Sequence, residues 1–297
     1  MDVIVFGNVT LDIICRTVDD VPRYESISFD YVNISPGGCG SNVAYGLAKL
    51  GVSTALVCRV GNDDAGSMIK SIWRQAGINQ KFIKICKHHT TAVSVGLIDS
   101  DAQPRFIHTP GANATLNSND IDIARYFRLG AKFLHIAGFF VLPGLLDDLL
   151  PIKLRKARQV GIYTSLDTVL SPRYWKPEFL WPCLPELDAF LCNRKEANRL
   201  TGEDTPEEAA KAFINKGANT VVIKLGSEGC YLRDGKISER IASPIVDVVD
   251  TTGAGDAFAA GYLAALNRGE TVMKAVEWGN AAGARMVSAL GAIGGWT

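Results

Sequence analysis

The stretch VDTTGAGDAFAAGYLAAL (residues 249–266) places a glycine-rich turn directly before an apolar segment, which predicts a helix over 256–267. The N-terminus of a helix exposes unpaired N–H groups with a partial positive charge, so it attracts anions. Glycines in the preceding turn let the backbone come close to such an anion. Asp256 stands at this helix start and is itself an anion. The stretch therefore predicts either a capping aspartate or a site that needs a carboxylate beside a phosphoryl group.

Short apolar runs that are typical of strands alternate along the chain with runs at helical spacing. The strand-like runs are VIVFG, TALVCRVG, FLHIAG, IYTSLD, AFLCN and TVVIKLG. Between the first two, NVAYGLAKL (42–50) predicts a helix, since its apolar residues fall on one face. The alternation predicts an α/β fold of three layers, in which helices cover both faces of a mainly parallel central sheet.

Two segments, 12–36 and 88–110, break this alternation because they carry strand-like stretches without helices. We interpret them as a small β-sheet that projects from the main domain. Such a sheet is a lid over a site, a dimer interface, or an edge hairpin without a special role. No long linker, repeat or low-complexity segment interrupts the chain, so residues 1–297 are predicted to form one domain.

Composition narrows the class of protein. Lys plus Arg and Asp plus Glu both number 31, and a net charge of zero argues against a nucleic-acid partner bound through phosphate contacts. The start MDVIVFGNVTLD lacks the features of a signal peptide, and no apolar run of about 18 residues predicts a membrane span. The 7 cysteines form no C-x-x-C pair, which favours reduced thiols in a cytoplasmic protein.

Several kinds of phosphate or metal site are excluded by their missing motifs. The chain has no G-x-x-x-x-G-K-[ST] P-loop and no H-R-D or D-F-G of protein kinases. In GAGDAF, Phe258 stands where the third glycine of a dinucleotide-binding fingerprint belongs. The cluster CKHH (86–89) is weak as a zinc site, because His88 and His89 point to opposite faces of a strand.

Direct phosphoryl transfer to an alcohol fits the opening stretch. The N–H groups of Gly253, Ala254 and Gly255 would meet the negative charge of the transferring phosphoryl group. Asp256 would accept the proton of the attacking hydroxyl as general base. The alternative remains that Asp256 only caps the helix and that the glycines only adopt turn angles.

Two long motifs carry a resemblance to a known family. DTTGAGDAFAAG (250–261) closely resembles the second signature of the ribokinase-like, or pfkB, carbohydrate kinases, and GGCGSNVAYGLAKLG (37–51) resembles the first. Shorter stretches that resemble family motifs are GNVTLD (7–12), PGANATL (110–116), NRKE (193–196) and KLGSEG (224–229). The resemblance spans nearly the whole chain and implies a ribokinase-like fold with a β-sheet lid. Ribokinases proper usually have Lys where this chain has Cys39, which weakens an assignment to ribose.

The resemblance implies roles for individual residues. It implies that the catalytic group consists of Asp256 as base with Gly253, Ala254 and Gly255 as anion hole. It implies that the acceptor is bound by Asp12, Gly38, Gly40 and Asn42. It implies that ATP is bound by Asn193, Lys224, Gly226, Ser227, Gly229 and Asn280. It implies that Mg²⁺ is organised by Glu196 together with Asn193. It also implies a K⁺-binding loop formed by Asp250, Thr252 and the backbone around Ala289 and Gly291.

Some of these residues also have a purely structural interpretation. Asp12 could be a turn aspartate, Asn42 a helix cap, and Glu196 a charge that complements a helix dipole. Arg105 and His108 are predicted either near acceptor substituents or on the surface of the lid, and Asp167 ends a strand at the edge of the site.

The family resemblance leaves the acceptor open. The leading hypothesis is an ATP-dependent kinase of a sugar or a sugar-like alcohol, and the alternative is a nucleoside kinase of the same fold. A non-catalytic protein that senses sugar or nucleotide is a third possibility, which the intact Asp256 disfavours. We also predict a homodimer formed through the lids, because the exposed face of a lid sheet needs cover.

Overall fold

Residues 1–101 and 104–296 are described by a computed structural model of the chain. The strands are β1 (Val3–Gly7), β2 (Thr10–Arg16), β3 (Tyr31–Gly37), β4 (Thr54–Val57), β5 (Arg59–Gly61), β6 (Lys84–Cys86), β7 (Val93–Ile98), β8 (Pro104–Thr109), β9 (Phe133–Ala137), β10 (Tyr163–Asp167), β11 (Ala189–Asn193), β12 (Thr220–Lys224), β13 (Cys230–Arg233) and β14 (Ser238–Ile241). The helices are α1 (Cys39–Lys49), α2 (Asp64–Gln75), α3 (Ile123–Arg128), α4 (Leu149–Gln159), α5 (Arg194–Thr201), α6 (Pro206–Asn215), α7 (Ala254–Asn267) and α8 (Val272–Val287).

The large sheet has the strand order β14-β13-β12-β11-β10-β9-β1-β4. Strands β4, β1 and β9 to β12 run parallel, while β13 and β14 continue the sheet antiparallel. Because the parallel strands point the same way, their carboxyl ends lie along one edge, which is where ligands bind in open α/β sheets.

Each face of this sheet has its own hydrophobic core. Strand β1 shows the division, since Ile4 and Phe6 enter one core and Val3 and Val5 the other. Buried residues of α3, α4, α5 and α6 pack in the first core, and those of α1, α2, α7 and α8 in the second. The alternation of strand side chains between two apolar layers explains why these strands are apolar throughout. The predicted three-layer α/β arrangement is confirmed.

A second, four-stranded sheet has the order β3-β2-β7-β8, and we call it the small sheet. Strands β2 and β7 pair in parallel, and the outer two pairs are antiparallel. Both segments that break the α/β alternation supply strands to it. Residues Ala102 and Gln103, inside the predicted segment 88–110, lie outside the described residues.

The two helices that matter most for the site begin earlier than predicted. Helix α1 begins at Cys39 instead of residue 42, after Gly38, whose φ is +83°. Helix α7 begins at Ala254 instead of residue 256, after Gly253 in the left-handed region at φ +76°. In both cases a glycine adopts the positive φ that the chain needs at this point, and the helix begins directly after that glycine.

Within the described residues, no helix is long and apolar enough to cross a membrane. The cysteines are free, and five of them are buried.

Candidate active site

The site lies where the carboxyl ends of the parallel strands meet the starts of α1 and α7. Asp167, Asn193 and Lys224 are the last residues of the adjacent strands β10, β11 and β12. Helix α1 reaches the sheet closely, because a Cβ built on Gly40 would lie only 2.7 Å from backbone atoms of Gly7. A glycine is therefore required at position 40 for this approach.

Asp256 is joined to α1 by a hydrogen bond. The Nδ2 of Asn42 donates to Oδ2 of Asp256 at 2.7 Å, across 214 positions of sequence. Asp256 is the third residue of α7, and the cap position is held by Gly253, which has no side chain to cap with. The carboxylate thus faces α1 rather than its own helix end. Asn42 lies inside α1, so the interpretation of Asn42 as a helix cap is wrong.

The protein environment of Asp256 favours the protonated carboxyl group more than water does. Burial, and next the negative charge of Asp167, raise the pKa of Asp256 to about 6. Hydrogen bonds from Asn42 and the Cys39 thiol, together with the charge of Lys224, act in the opposite direction. A carboxylate with a pKa near 6 is a stronger base than an exposed aspartate and is still ionised at neutral pH.

The first turn of α7 presents free N–H groups beside this carboxylate. Among the described residues, the backbone N–H groups of Gly253, Gly255 and Asp256 make no hydrogen bond, as expected for a helix N-terminus. The N–H of Ala254 makes a long bond of 3.3 Å to the carbonyl of Thr251. The N–H groups of this turn are therefore largely free, with that of Ala254 partly engaged, and the anion hole stays a prediction.

A cavity of about 380 Å³ opens next to this turn. The six residues predicted to bind ATP all line it: Asn193, Lys224, Gly226, Ser227, Gly229 and Asn280. One part of its wall is apolar, formed by Pro244, Ile245, Val246, Val248, Phe258 and Val287. The Nδ2 of Asn280 donates to the carbonyls of Ile241 and Ala242, so this amide group holds the loop that follows β14.

Glu196 and Asn193 form a capping box at the start of α5. The Oδ1 of Asn193 accepts from the N–H of Glu196, and Oε2 of Glu196 accepts from the N–H of Asn193 at 2.9 Å. The same Oε2 accepts from the hydroxyl of Thr168 at 3.0 Å, which turns the side chain toward the neighbouring strand. Burial raises the pKa of Glu196, and the charge of Lys224 offsets part of that shift. A nearby cation would stabilise this buried carboxylate.

Asp12 lies on β2 in the small sheet. Its Oδ1 accepts from the hydroxyl of Thr10 at 2.5 Å, and its carboxylate lies against Gly37, where a Cβ would collide with it. Burial raises the pKa of Asp12 to about 6, and the bond from Thr10 lowers it in part. Asp12 is therefore part of a regular strand and not a turn aspartate.

Arg105 and His108, whose positions relative to the acceptor the sequence left open, lie on opposite faces of the small sheet. His108 shares the face of Asp12, because both are in register with Ser94. Arg105 lies on the opposite face, where its guanidinium donates to the carbonyls of Val18 and Asp19 at 2.8 and 2.9 Å. The alternative that placed Arg105 on the surface of the small sheet is the correct one.

Two amide oxygens near the site are buried without a hydrogen-bond partner among the described residues. They are Oδ1 of Asn42 and Oδ1 of Asn33, which lies on the same face as Asp12. An unpaired buried acceptor is costly, so such atoms mark positions where a ligand donor is expected. No sequence signal identified Asn33, since it sits in an ordinary strand pattern.

Asp250 and Thr252 belong to the loop before α7. The Oδ1 of Asp250 accepts from the N–H and hydroxyl of Thr252, and Oδ2 accepts from the N–H of Gly291 at 2.9 Å. The carboxylate thus ties two loops together. Nothing in this geometry requires a bound cation.

A buried network behind the site was missed by sequence reasoning apart from Asp167 itself. Asp167 accepts from the N–H of Gly138 at 2.7 Å, and its Oδ2 lies 3.2 Å from Nε2 of His135. The other ring nitrogen of His135 lies 2.8 Å from the hydroxyl of Ser165. His135 is fully buried in an apolar strand, so its sequence context resembles a core position.

Within residues 1–101 and 104–296, no group of three His, Cys, Asp or Glu side chains is arranged to hold a metal ion. A magnesium ion at this site would need ligands from elsewhere, such as the phosphate oxygens with which Mg²⁺ is usually bound. Glu196 suits such an arrangement, because its two hydrogen bonds use only Oε2.

Comparison with known proteins identifies the family. The profile of the pfkB family carbohydrate kinases matches residues 1–297. The chain belongs to this family. The kinase is 33% identical over 270 residues to the 2-dehydro-3-deoxygluconokinase of Bacillus subtilis, covering 87% of this chain and 82% of the relative. It is 28% identical over 295 residues to the aminoimidazole riboside kinase of Salmonella typhimurium, covering 93% and 88%.

A solved structure supports the same conclusion. The ribokinase of Arabidopsis thaliana, complexed with ribose and ATP, matches with a TM-score of 0.83 at 27% identity, covering 98% of this kinase and 94% of that chain. The predicted ribokinase-like fold and the predicted activity of an ATP-dependent carbohydrate kinase are thereby confirmed.

Proposed function

We propose that the kinase transfers the terminal phosphoryl group of ATP to a hydroxyl of a sugar or sugar-like acceptor, with Asp256 as general base. The observation that carries this proposal is the position of Asp256. Its carboxylate is held by Asn42 on one side and stands beside the open N–H groups of its own helix on the other. A base and an anion site at one point are what phosphoryl transfer to an alcohol requires.

In this mechanism the acceptor hydroxyl gives its proton to the Asp256 carboxylate as its oxygen forms a new bond to phosphorus. The bond from phosphorus to the leaving oxygen breaks, and ADP carries away that electron pair. The N–H groups of Gly253 to Gly255 stabilise the charge on the transferring group. Asp12 and the open Oδ1 of Asn42 accept hydrogen bonds from other acceptor hydroxyls.

The cavity beside α7 is the proposed nucleotide site. Its apolar wall suits a flat base, because it includes Ile245 and Val248, whose side chains are 102% and 62% exposed. Gly255 also lines the cavity, and the phosphates would lie there. Asn193 and Glu196 would hold Mg²⁺ through water and phosphate oxygens, and the ion would neutralise charge on the phosphates.

We also propose a potassium site in the loop of Asp250 and Thr252. The carboxylate already joins this loop to Gly291, so K⁺ would act by stiffening a connection that exists. Backbone carbonyls would supply most of its ligands.

A sugar acceptor is favoured over a nucleoside because the groups that face the acceptor space are polar. Asp12, Asn33 and Asn42 offer carboxylate and amide oxygens, which suit the hydroxyls of a polyol. Two relatives are named for a deoxy sugar acid and for a riboside, so family membership by itself leaves both classes in play.

The acceptor is tested by measuring ADP release with a panel of sugars, sugar acids and nucleosides, each with MgATP and with the acceptor omitted as control. We expect acceptor-dependent ADP release with a sugar or sugar acid. The same compound at 100 times its dissociation constant should stabilise the fold by about 2.7 kcal/mol in a thermal unfolding assay. Release with nucleosides alone would establish the alternative. Stabilisation by ligands without ADP release would show a binding protein and refute the proposal.

We also propose that two copies associate through the outer face of the small sheet. Ile34, Ile13, Val95 and Ile107 lie in register across its four strands, on the face away from Asp12. Ile34 and Ile107 are 45% and 67% exposed, and a contiguous apolar face of this kind marks an interaction surface.

The double variant Ile34→Glu/Ile107→Glu should therefore be monomeric by light scattering where the wild type is dimeric. The matched control is Ile152→Glu on α4, which packs on the large sheet and is not part of the small sheet. It changes an isoleucine of 42% exposure and should leave the molecular mass of the dimer unchanged. A wild type that is monomeric at high concentration would contradict the dimer.

A further inference from the structure

Lys224 ends β12 and reaches the point where the nucleotide cavity meets the first turn of α7. A Cβ built on Gly255 would lie 3.0 Å from Nζ of Lys224, so the ammonium group touches the predicted anion hole. The same side chain lines the cavity, and it is the one charged side chain among the residues that do. Lys224 therefore joins the nucleotide site to the catalytic turn.

The donors of this ammonium group are uncommitted. Within residues 1–101 and 104–296, Nζ of Lys224 makes no hydrogen bond and no ion pair within 4.0 Å. An ammonium group has three N–H donors, and the partly buried Lys224 side chain lines the cavity, so a ligand there can reach them. These donors point to a ligand that supplies acceptor oxygens at this position.

The charge on Lys224 is maintained by carboxylates at longer range. Burial lowers the pKa of Lys224, but the negative charges of Asp167, Glu196 and Asp256 outweigh it, so the pKa is raised overall. Three carboxylates around one cation leave a negative surplus, which would repel phosphate groups unless a positive charge stood between them. Lys224 occupies that intermediate position, next to Gly255.

We propose that Lys224 is a catalytic residue that donates hydrogen bonds to the terminal phosphoryl group of the nucleotide during transfer. This inference rests on the proposed function, and it assigns to a side chain a role that the N–H groups of α7 fill only in part. The long bond of the Ala254 N–H to Thr251 leaves fewer backbone donors at the same point. An ammonium group follows the phosphoryl oxygens as they move, whereas the helix N–H groups are fixed.

The competing explanation is structural: Lys224 would only neutralise Asp167, Glu196 and Asp256. The two explanations predict different effects of Lys224 on nucleotide affinity. If Lys224 contacts the terminal phosphoryl group, it strengthens binding of a non-hydrolysable ATP analogue more than binding of ADP. If it only neutralises the carboxylates, it strengthens binding of both nucleotides equally.

The test compares Lys224→Met with Lys211→Met, which removes one positive charge from the exposed face of α6. Calorimetry should show that Lys224→Met binds the imido analogue of ATP about tenfold or more weakly. Its affinity for ADP should change far less. With an acceptor that the wild type phosphorylates, kcat should fall by about 100-fold or more with little change in acceptor KM. Lys211→Met should match the wild type in every measurement.

Equal loss of affinity for both nucleotides, or unchanged kcat, would overturn the inference. If Lys224→Met does not fold, the ¹⁵N resonance of the Lys224 side chain in the wild type decides the question. It should shift with the imido analogue and not with ADP, and an identical shift with both would overturn the inference. The proposed function would be refuted if the wild type phosphorylated no acceptor. The nucleotide-binding measurements need no acceptor, so they would still test the role of Lys224 in that case.

Discussion

Asp256→Asn is expected to slow phosphoryl transfer by about 100- to 10,000-fold, the usual contribution of a general base. The substitution keeps the shape of the side chain and an oxygen that can accept from Asn42, so the junction of α1 and α7 should survive. It removes only the ability to accept a proton. Steady-state kinetics with the preferred acceptor, together with calorimetric binding of each substrate, would measure the effect.

The matched control for this variant is Asp122→Asn. Asp122 is a true capping aspartate, whose side chain accepts from the N–H of Arg125 at the start of α3. Asn is as good a cap as Asp, so this variant should retain wild-type turnover and stability. If Asp256→Asn behaved in the same way, Asp256 would be a cap and the proposed mechanism would fail.

A steep loss of activity below pH 6 is the second large effect. Both Asp12 and Asp256 have a pKa raised to about 6 by burial, from the ordinary value of 3.8. A raised pKa means that each carboxylate is ionised above pH 6 and protonated below it. Protonation removes the base at position 256 and weakens the acceptor contact at position 12, so kcat/KM for the acceptor should fall by more than tenfold per pH unit.

The variant Asp12→Asn separates the two contributions. It should lower kcat/KM at neutral pH, by roughly the 1.5–3 kcal/mol of a hydrogen bond to a charged group. In the plot of log kcat/KM against pH, the acid side of the profile of this variant should then follow the protonation of Asp256 alone, with a slope of one. The titration of ATP itself is common to both proteins and cancels in the comparison. A wild-type profile that stays flat down to pH 5 would contradict the raised pKa of Asp256.

The sequence by itself determined the layered fold and most of the residues with chemistry, although it missed Asn33 and His135. Period and composition suffice for this, because strands that are buried on both faces must be apolar and the helices between them must cover those faces. GAGD at the start of a helix also sufficed to predict an anion site, since the unpaired N–H groups of a helix end are a local property. The two helix starts were placed two or three residues late, because Gly40 and Gly255, which lie in the first turns of these helices, were assigned to the preceding loops.

Only the tertiary structure decided which of these residues meet. The bond from Asn42 to Asp256 joins residues 214 positions apart, and no local pattern specifies it. The same is true of Lys224 beside Gly255, and of the pairing that puts His108, and not Arg105, on the face of Asp12. The physical reason is that local sequence fixes backbone conformation and periodicity. Contact across a site depends on how whole elements pack, and so do the pKa shifts that burial and distant charges produce there.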